Sequence, residues 1–195
     1  MRRARPSVFE RIPTAARAWA SRLVLLLACA SVVATSRAQS DDVASSVYTG
    51  APIRLTTEAP KVTRTLVVRT AAQKKSSDPV EGELRIQANA TWTPSDPAQT
   101  TQPWLAIDHS IDQIDIGRGS GVLEPGVAVT VRSSAPLGAE CPLNQGCEWT
   151  QQVTFELQAN AAPGTVDLEW TAQALAHVLD DSSVPKGFTV TVSEP

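Results

Sequence analysis

Residues 83–92 read Glu-Leu-Arg-Ile-Gln-Ala-Asn-Ala-Thr-Trp, with Leu84, Ile86, Ala88, Ala90 and Trp92 alternating strictly with polar residues. A side-chain period of two is that of a β-strand with one face buried and one wet. The same alternation runs through 127–132, through 149–159 (Trp149, Val153, Phe155, Leu157 and Ala159 on one face, interrupted by Gln151), through 166–178 and through 188–192. Weaker strands are expected at 53–56, 62–70 and 104–116, the last with apolar residues on both parities. No stretch after residue 38 carries a helical period.

Turn residues separate these runs: Gly, Pro, Asp, Asn and Ser gather at 74–80, 93–103, 117–126, 133–146, 161–165 and 180–187. Short strands with turns between them indicate an all-β sandwich or barrel rather than alternating β and α units. About seven strands follow from Val62 onward, the size of one immunoglobulin-like antiparallel β-sandwich. The expected organisation is a leader at 1–38, a flexible segment at 39–52 and a sandwich domain at 53–195.

The leader rests on a separate signal. The apolar run from Leu23 to Ala34 follows Arg2, Arg3, Arg5, Arg11, Arg17 and Arg22 and precedes Ser36-Arg37-Ala38. A basic region, an apolar stretch of about a dozen residues and a small-x-small site form a cleaved signal peptide, too short to span a bilayer as a helix. Gln39 is then the expected first residue of the exported chain, with a secreted or periplasmic location. Leu26-Leu27-Ala28-Cys29 also resembles a bacterial lipobox, which implies the alternative of lipid anchoring through Cys29.

Charge narrows the partners. Ten of the 17 basic residues and 19 of the 20 acidic ones follow residue 38, so the exported part carries a net charge near −9. Such a surface repels phosphate backbones and anionic membranes, so no nucleic acid partner and no membrane insertion are expected. Cys141 and Cys147 enclose Pro142 and Gly146 in a tight loop, and in an oxidising compartment they are expected to form a disulfide.

In the C-terminal third, Val153-Thr-Phe155-Glu-Leu157-Gln-Ala159, Ala162-Pro163-Gly164-Thr165, Val166-Asp-Leu168-Glu-Trp170-Thr-Ala172 and Phe188-Thr-Val190-Thr-Val192 follow one another. This succession resembles the last strands of immunoglobulin-like modules of secreted bacterial proteins. The resemblance implies a fold and transfers no functional residue. Cys141 and Cys147 sit in one loop and do not match the inter-sheet bridge of antibody domains.

Candidate chemistry is sparse. Asp108, His109, Ser110, Asp112 and Asp115 contain the residue types of a hydrolytic triad, but neighbours on a strand point to opposite faces, so this stretch reads as a solvated strand edge. Asp112 and Asp115 before the Gly117-Arg-Gly119-Ser-Gly121 turn form a weak candidate metal loop for calcium, with Arg118 opposing it. His177 falls on a polar parity and is expected to be exposed. Trp92, Trp149 and Trp170 share the apolar faces of their strands and read as core. Trp104, after Pro103 and a polar loop, is the one aromatic expected to serve as a ligand contact. The sequon Asn89-Ala90-Thr91 lies within a strand behind a bacterial-type leader and is set aside. The sequence therefore leads to an exported, non-enzymatic structural or binding module of the bacterial cell envelope or exterior, without cofactor, whose partner is an unknown protein or glycan. Its rivals are a pilus-type assembly subunit pairing through 39–56, a carbohydrate-binding protein centred on Trp104, and a hydrolase.

Overall fold

The computed structural model describes residues 14–35, 37–73, 76–159 and 162–195. Arg2, Arg3, Arg5, Arg11, Ser36, Lys74, Lys75 and the side chains of Arg17 and Cys29 lie outside the described residues. The chain divides into two compact units, Met1–Arg37 and Ala38–Pro195. The first contains helix α1 (Thr14–Thr35). No helix among the described residues is long and apolar enough to cross a membrane.

The second unit is all-β and consists of two packed antiparallel sheets. In chain order its strands are β1 (Val43–Ala44), β2 (Tyr48–Thr49), β3 (Ile53–Thr56), β4 (Lys61–Ala71), β5 (Pro79–Pro94), β6 (Trp104–Ile111), β7 (Ile114–Val122), β8 (Ala128–Pro136), β9 (Cys141–Pro142), β10 (Cys147–Gln158), β11 (Gly164–Val178) and β12 (Thr189–Ser193). One sheet runs β1-β11-β5-β8, with β2 and β3 also on β11 and β9 on β5; the other runs β12-β4-β10-β6-β7.

The stretch 83–92 lies at the centre of the larger sheet, between β11 and β8. Its inward residues meet partners of complementary size on β11: Ala88 opposes Trp170, Ala90 opposes Leu168, Ile86 opposes Ala172 and Leu84 opposes Ala174. Large beside small fills each row without voids, as close packing of an interior demands. Phe155 of the opposite sheet closes the layer against Trp170, ring centroids 5.3 Å apart. Trp92, Trp149 and Trp170 are all buried, as their parity predicts. Trp149 and Trp170 each donate Nε1–H to a backbone carbonyl at 3.0 Å, of Ala139 and Ala51 respectively.

Among the described residues there are twelve strands, nine of them from Lys61 onward where about seven are expected; a hairpin and the short β9 make that difference, and β1 and β2 come from the segment before Ile53. The expected strand 104–116 is a hairpin, β6 and β7, turning at Asp112 and Gln113, whose φ values of 49° and 68° are both left-handed. Ile111 and Ile114 close the turn as paired residues, the geometry of a two-residue type I′ hairpin. The presumed turn at 117–121 is part of β7 itself.

The segment 39–52, expected to be flexible, is instead laid along the free edge of β11. Ser40 N–H donates to Val178 O at 2.9 Å, Ser45 N–H to Ala174 O at 2.8 Å and Gly50 N–H to Trp170 O at 3.2 Å. Five residues of this strap therefore advance against four of β11 at each step, one bulge per step. At the first two steps the serine hydroxyl also accepts an N–H from β11, of Val178 at 3.0 Å and of Ala174 at 3.1 Å. At the third, a Cβ on Gly50 would stand 2.0 Å from the Trp170 ring, so only glycine fits.

Candidate functional site

Trp104 sits on β6, with Val122 of β7 and Gln158 of β10 as its cross-strand partners, on the outer face of the smaller sheet. It is partly exposed. Two residues of separation along a strand return to the same face, which places Asp108 on that side as well. Arg118 pairs with Asp108 across β6 and β7 and links the two: its Nε is 3.2 Å from Asp108 Oδ1 and its Cζ lies 5.7 Å from the Trp104 ring centroid. A cation over an indole and an exposed ion pair each contribute about 1 kcal/mol or less, so the array orients side chains more than it stabilises the fold.

Beside it lies a shallow depression of about 490 Å³, lined by Lys61, Asp108, Arg118, Gln152, Glu156 and Gln158 among others. Burial pushes the Asp108 carboxyl up; the Arg118 charge opposes this, while Glu156 and Asp115 reinforce it. The depression thus offers carboxylates, amides and two cations, groups that hydrogen-bond polyols, beside the partly exposed Trp104.

The hairpin sets Asp112 and Asp115 in different places. Asp112 occupies the turn, whereas Asp115 stands opposite Ser110 on the outer face. Gly117, Gly119 and Gly121 are strand residues facing inward, where a Cβ on Gly119 would come 2.0 Å from Arg132 O. They are glycines because neighbouring β8 passes against them, and they belong to a strand rather than to a turn. Among the described residues no group of three or more His, Cys, Asp or Glu side chains is placed to hold a metal.

His109 is corrected as well: it is 0% exposed and lies inside the sandwich rather than on a solvated edge. Its Cα partner on β7 is Gly117, whose missing side chain admits β8, and its Nε2 is 2.8 Å from Ser133 Oγ. Its Nδ1 is 3.3 Å from Gln151 Oε1, and Gln151 Nε2 donates to Pro136 O at 2.6 Å. With the amide oxygen turned toward the ring, Nδ1 carries the proton and Nε2 accepts from the Ser133 hydroxyl, the assignment that satisfies every partner. Burial holds the imidazole below its ordinary pKa, partly offset by the Gln151 hydrogen bond and the Asp108 charge. Ser133 and His109 have the spacing of a nucleophile and its base. His109 is closed off from solvent and Ser133 is only 8% exposed, so the arrangement is a polar tie across the core.

Asp108 and Ser110, by contrast, face outward away from His109, as strand alternation requires. His177 is not free at the surface: its Nδ1 is 2.9 Å from Asp42 Oδ1 of the strap and its side chain is 17% exposed. Cys141 and Cys147 stand at disulfide geometry with Cα atoms 5.7 Å apart. Asn89 is exposed on β5, where its Oδ1 accepts the Thr130 hydroxyl at 2.8 Å. Sequence reading missed Ser133 and Gln151, although the polar break at Gln151 in an apolar face marked the place where the tie forms. No family model, curated protein or solved structure matches this chain.

Proposed function

We propose that the protein is an exported, non-enzymatic binding module of the bacterial cell envelope or exterior, built as an immunoglobulin-like sandwich from which residues 1–38 are removed. The observation that carries this reading is the outer face around Trp104, where an indole, Arg118 and the Asp108 carboxylate stand beside a polar depression on a rigid sheet. Ligand surfaces favour a few fixed polar groups beside an aromatic on a scaffold that does not move. The nearest approach to a catalytic pair, His109 with Ser133, is buried, which argues against the hydrolase. The assembly-subunit rival needs 39–56 as a donor strand, yet this segment is already paired with β11 of its own chain.

The test is a glycan array probed with the 39–195 protein and with Trp104→Ala. Binding to neutral or mixed saccharides that disappears in the variant, with an unchanged unfolding midpoint, supports the Trp104 face. Binding that survives Trp104→Ala, or a silent array, overturns it. Mass spectrometry of the exported chain settles the processing: an N-terminus at Gln39 fits the proposal, and an acylated Cys29 replaces it with a lipoprotein.

A further inference from the structure

The outer face of the larger sheet carries a second, chemically different surface. The adjacent strands β11, β5 and β8 present six outward side chains in two cross-strand rows, Gln173–Arg85–Ser134 and Thr171–Gln87–Arg132. These line an open groove of about 730 Å³, which Arg118 also borders. No carboxylate is among the lining residues, in a chain whose exported part has 19 acidic and ten basic residues, so three of those ten cations gather at one groove. Arg132 donates Nε–H to Gln87 Oε1 at 3.0 Å, an amide partner that aims the guanidinium without neutralising it. Arg85 is bonded to Glu83 at the rim. Arg118 is likewise held by Asp108.

From this geometry we propose that the groove binds an acidic oligosaccharide, one carrying carboxylate or sulfate groups, at a site that shares Arg118 with the Trp104 face and is otherwise built from different residues. The planar guanidinium fork matches either oxyanion. Arg85 and Arg132 are diagonal neighbours on adjacent strands, a Cα separation of about 7–8 Å, so they meet charges on successive parts of a chain rather than one ion. Gln87, Gln173, Ser134 and Thr171 supply donors and acceptors for hydroxyl groups between those charges. An acidic peptide fits less well. The groove floor is β5, whose backbone groups are engaged by β11 on one side and β8 on the other, so a peptide finds no edge to extend.

Isothermal titration of the 39–195 protein with tetragalacturonate, a heparin-derived tetrasaccharide, maltotetraose and pentaglutamate tests this. The expected result is binding of one or both acidic saccharides, the two arms telling carboxylate from sulfate, with maltotetraose and pentaglutamate at least ten-fold weaker. Arg132→Gln and Arg85→Gln should each weaken the acidic saccharide about ten-fold, the loss of one charge-assisted contact. Glu83→Gln, which frees Arg85, should tighten it, a gain that misfolding cannot mimic. Equal binding of pentaglutamate or maltotetraose, no binding of either acidic saccharide, or indifference to all three substitutions overturns the proposal.

Discussion

The two long sides of the sandwich are finished in opposite ways. On one, β7 of the smaller sheet lies directly against β8 of the larger, glycine against backbone, and His109 reaches across to Ser133. On the other, the strap 39–50 pairs with β11 in two short runs, Val43–Ala44 and Tyr48–Thr49, set between the backbone bonds of Ser40, Ser45 and Gly50. The first closure tolerates no added atom, because what an added side chain would strike is main chain that cannot step aside. The second is a series of short pairings, two residues at a time, interrupted by bulges. Closure thus comes from close backbone approach in one place and from short, interrupted pairing in the other.

The largest expected effect tests the rigid side. Gly119→Val places a branched side chain into the Arg132 carbonyl and should cost about 3 kcal/mol in denaturant unfolding. Gly50→Ala meets the Trp170 ring but sits on a strap that can lift, so it should cost less; equal losses would erase the distinction between the two sides. Replacing both Cys141 and Cys147 by Ser should cost about 2 kcal/mol without unfolding the domain, as befits a bridge closing a short loop.

The His109 tie gives a pH signature. Its folded pKa lies below the ordinary histidine value, so the unfolded chain binds the extra proton first and stability falls as pH drops below about 6.5. Wild type should therefore lose stability from about pH 7.5 to about pH 5.5 relative to His109→Asn, in which the carboxylate contributions are common to both and cancel. Parallel profiles would show that His109 is not held neutral inside. At the small end, Ser45→Ala removes one hydroxyl acceptor for Ala174 N–H and should cost about 1 kcal/mol. Hydrogen exchange at Ala174 should rise while the β5 amides stay protected, which would localise the effect to the strap.

What was legible in the sequence follows the same division. Strands with a wet face and a dry face, 83–92 and 166–178 above all, announce themselves by period, and their tryptophans were placed correctly inside. The hairpin at Asp112 and Gln113 was hidden because neither residue is the glycine that such turns usually carry. β7 was read as a turn because three glycines at alternate positions look like loop chemistry until the neighbouring strand is in view. The strap was hidden because its period is five against four, a rhythm belonging to neither helix nor strand. For the candidate site, the partial exposure of Trp104 was legible from its loop-exit position, whereas Arg85, Arg118 and Arg132 are scattered over three strands and only the registers of β5, β7 and β8 bring them together.

The strap also covers an edge that β11 would otherwise leave open. β11 runs for 15 residues and its inward positions from Val166 to Val178 are apolar throughout. Stripped of 39–50, most of its length would present a row of unanswered N–H and C=O groups, a template on which another copy can add edge to edge. Ser40 and Ser45 answer part of that row with a hydroxyl as well as a backbone group, and the recurring bulges leave the strap's own outer margin broken and unfit to recruit a further strand. A dozen residues of unremarkable composition thus act as a guard rail, and a protease nick near Gly50 would turn a self-contained domain into one prone to stacking.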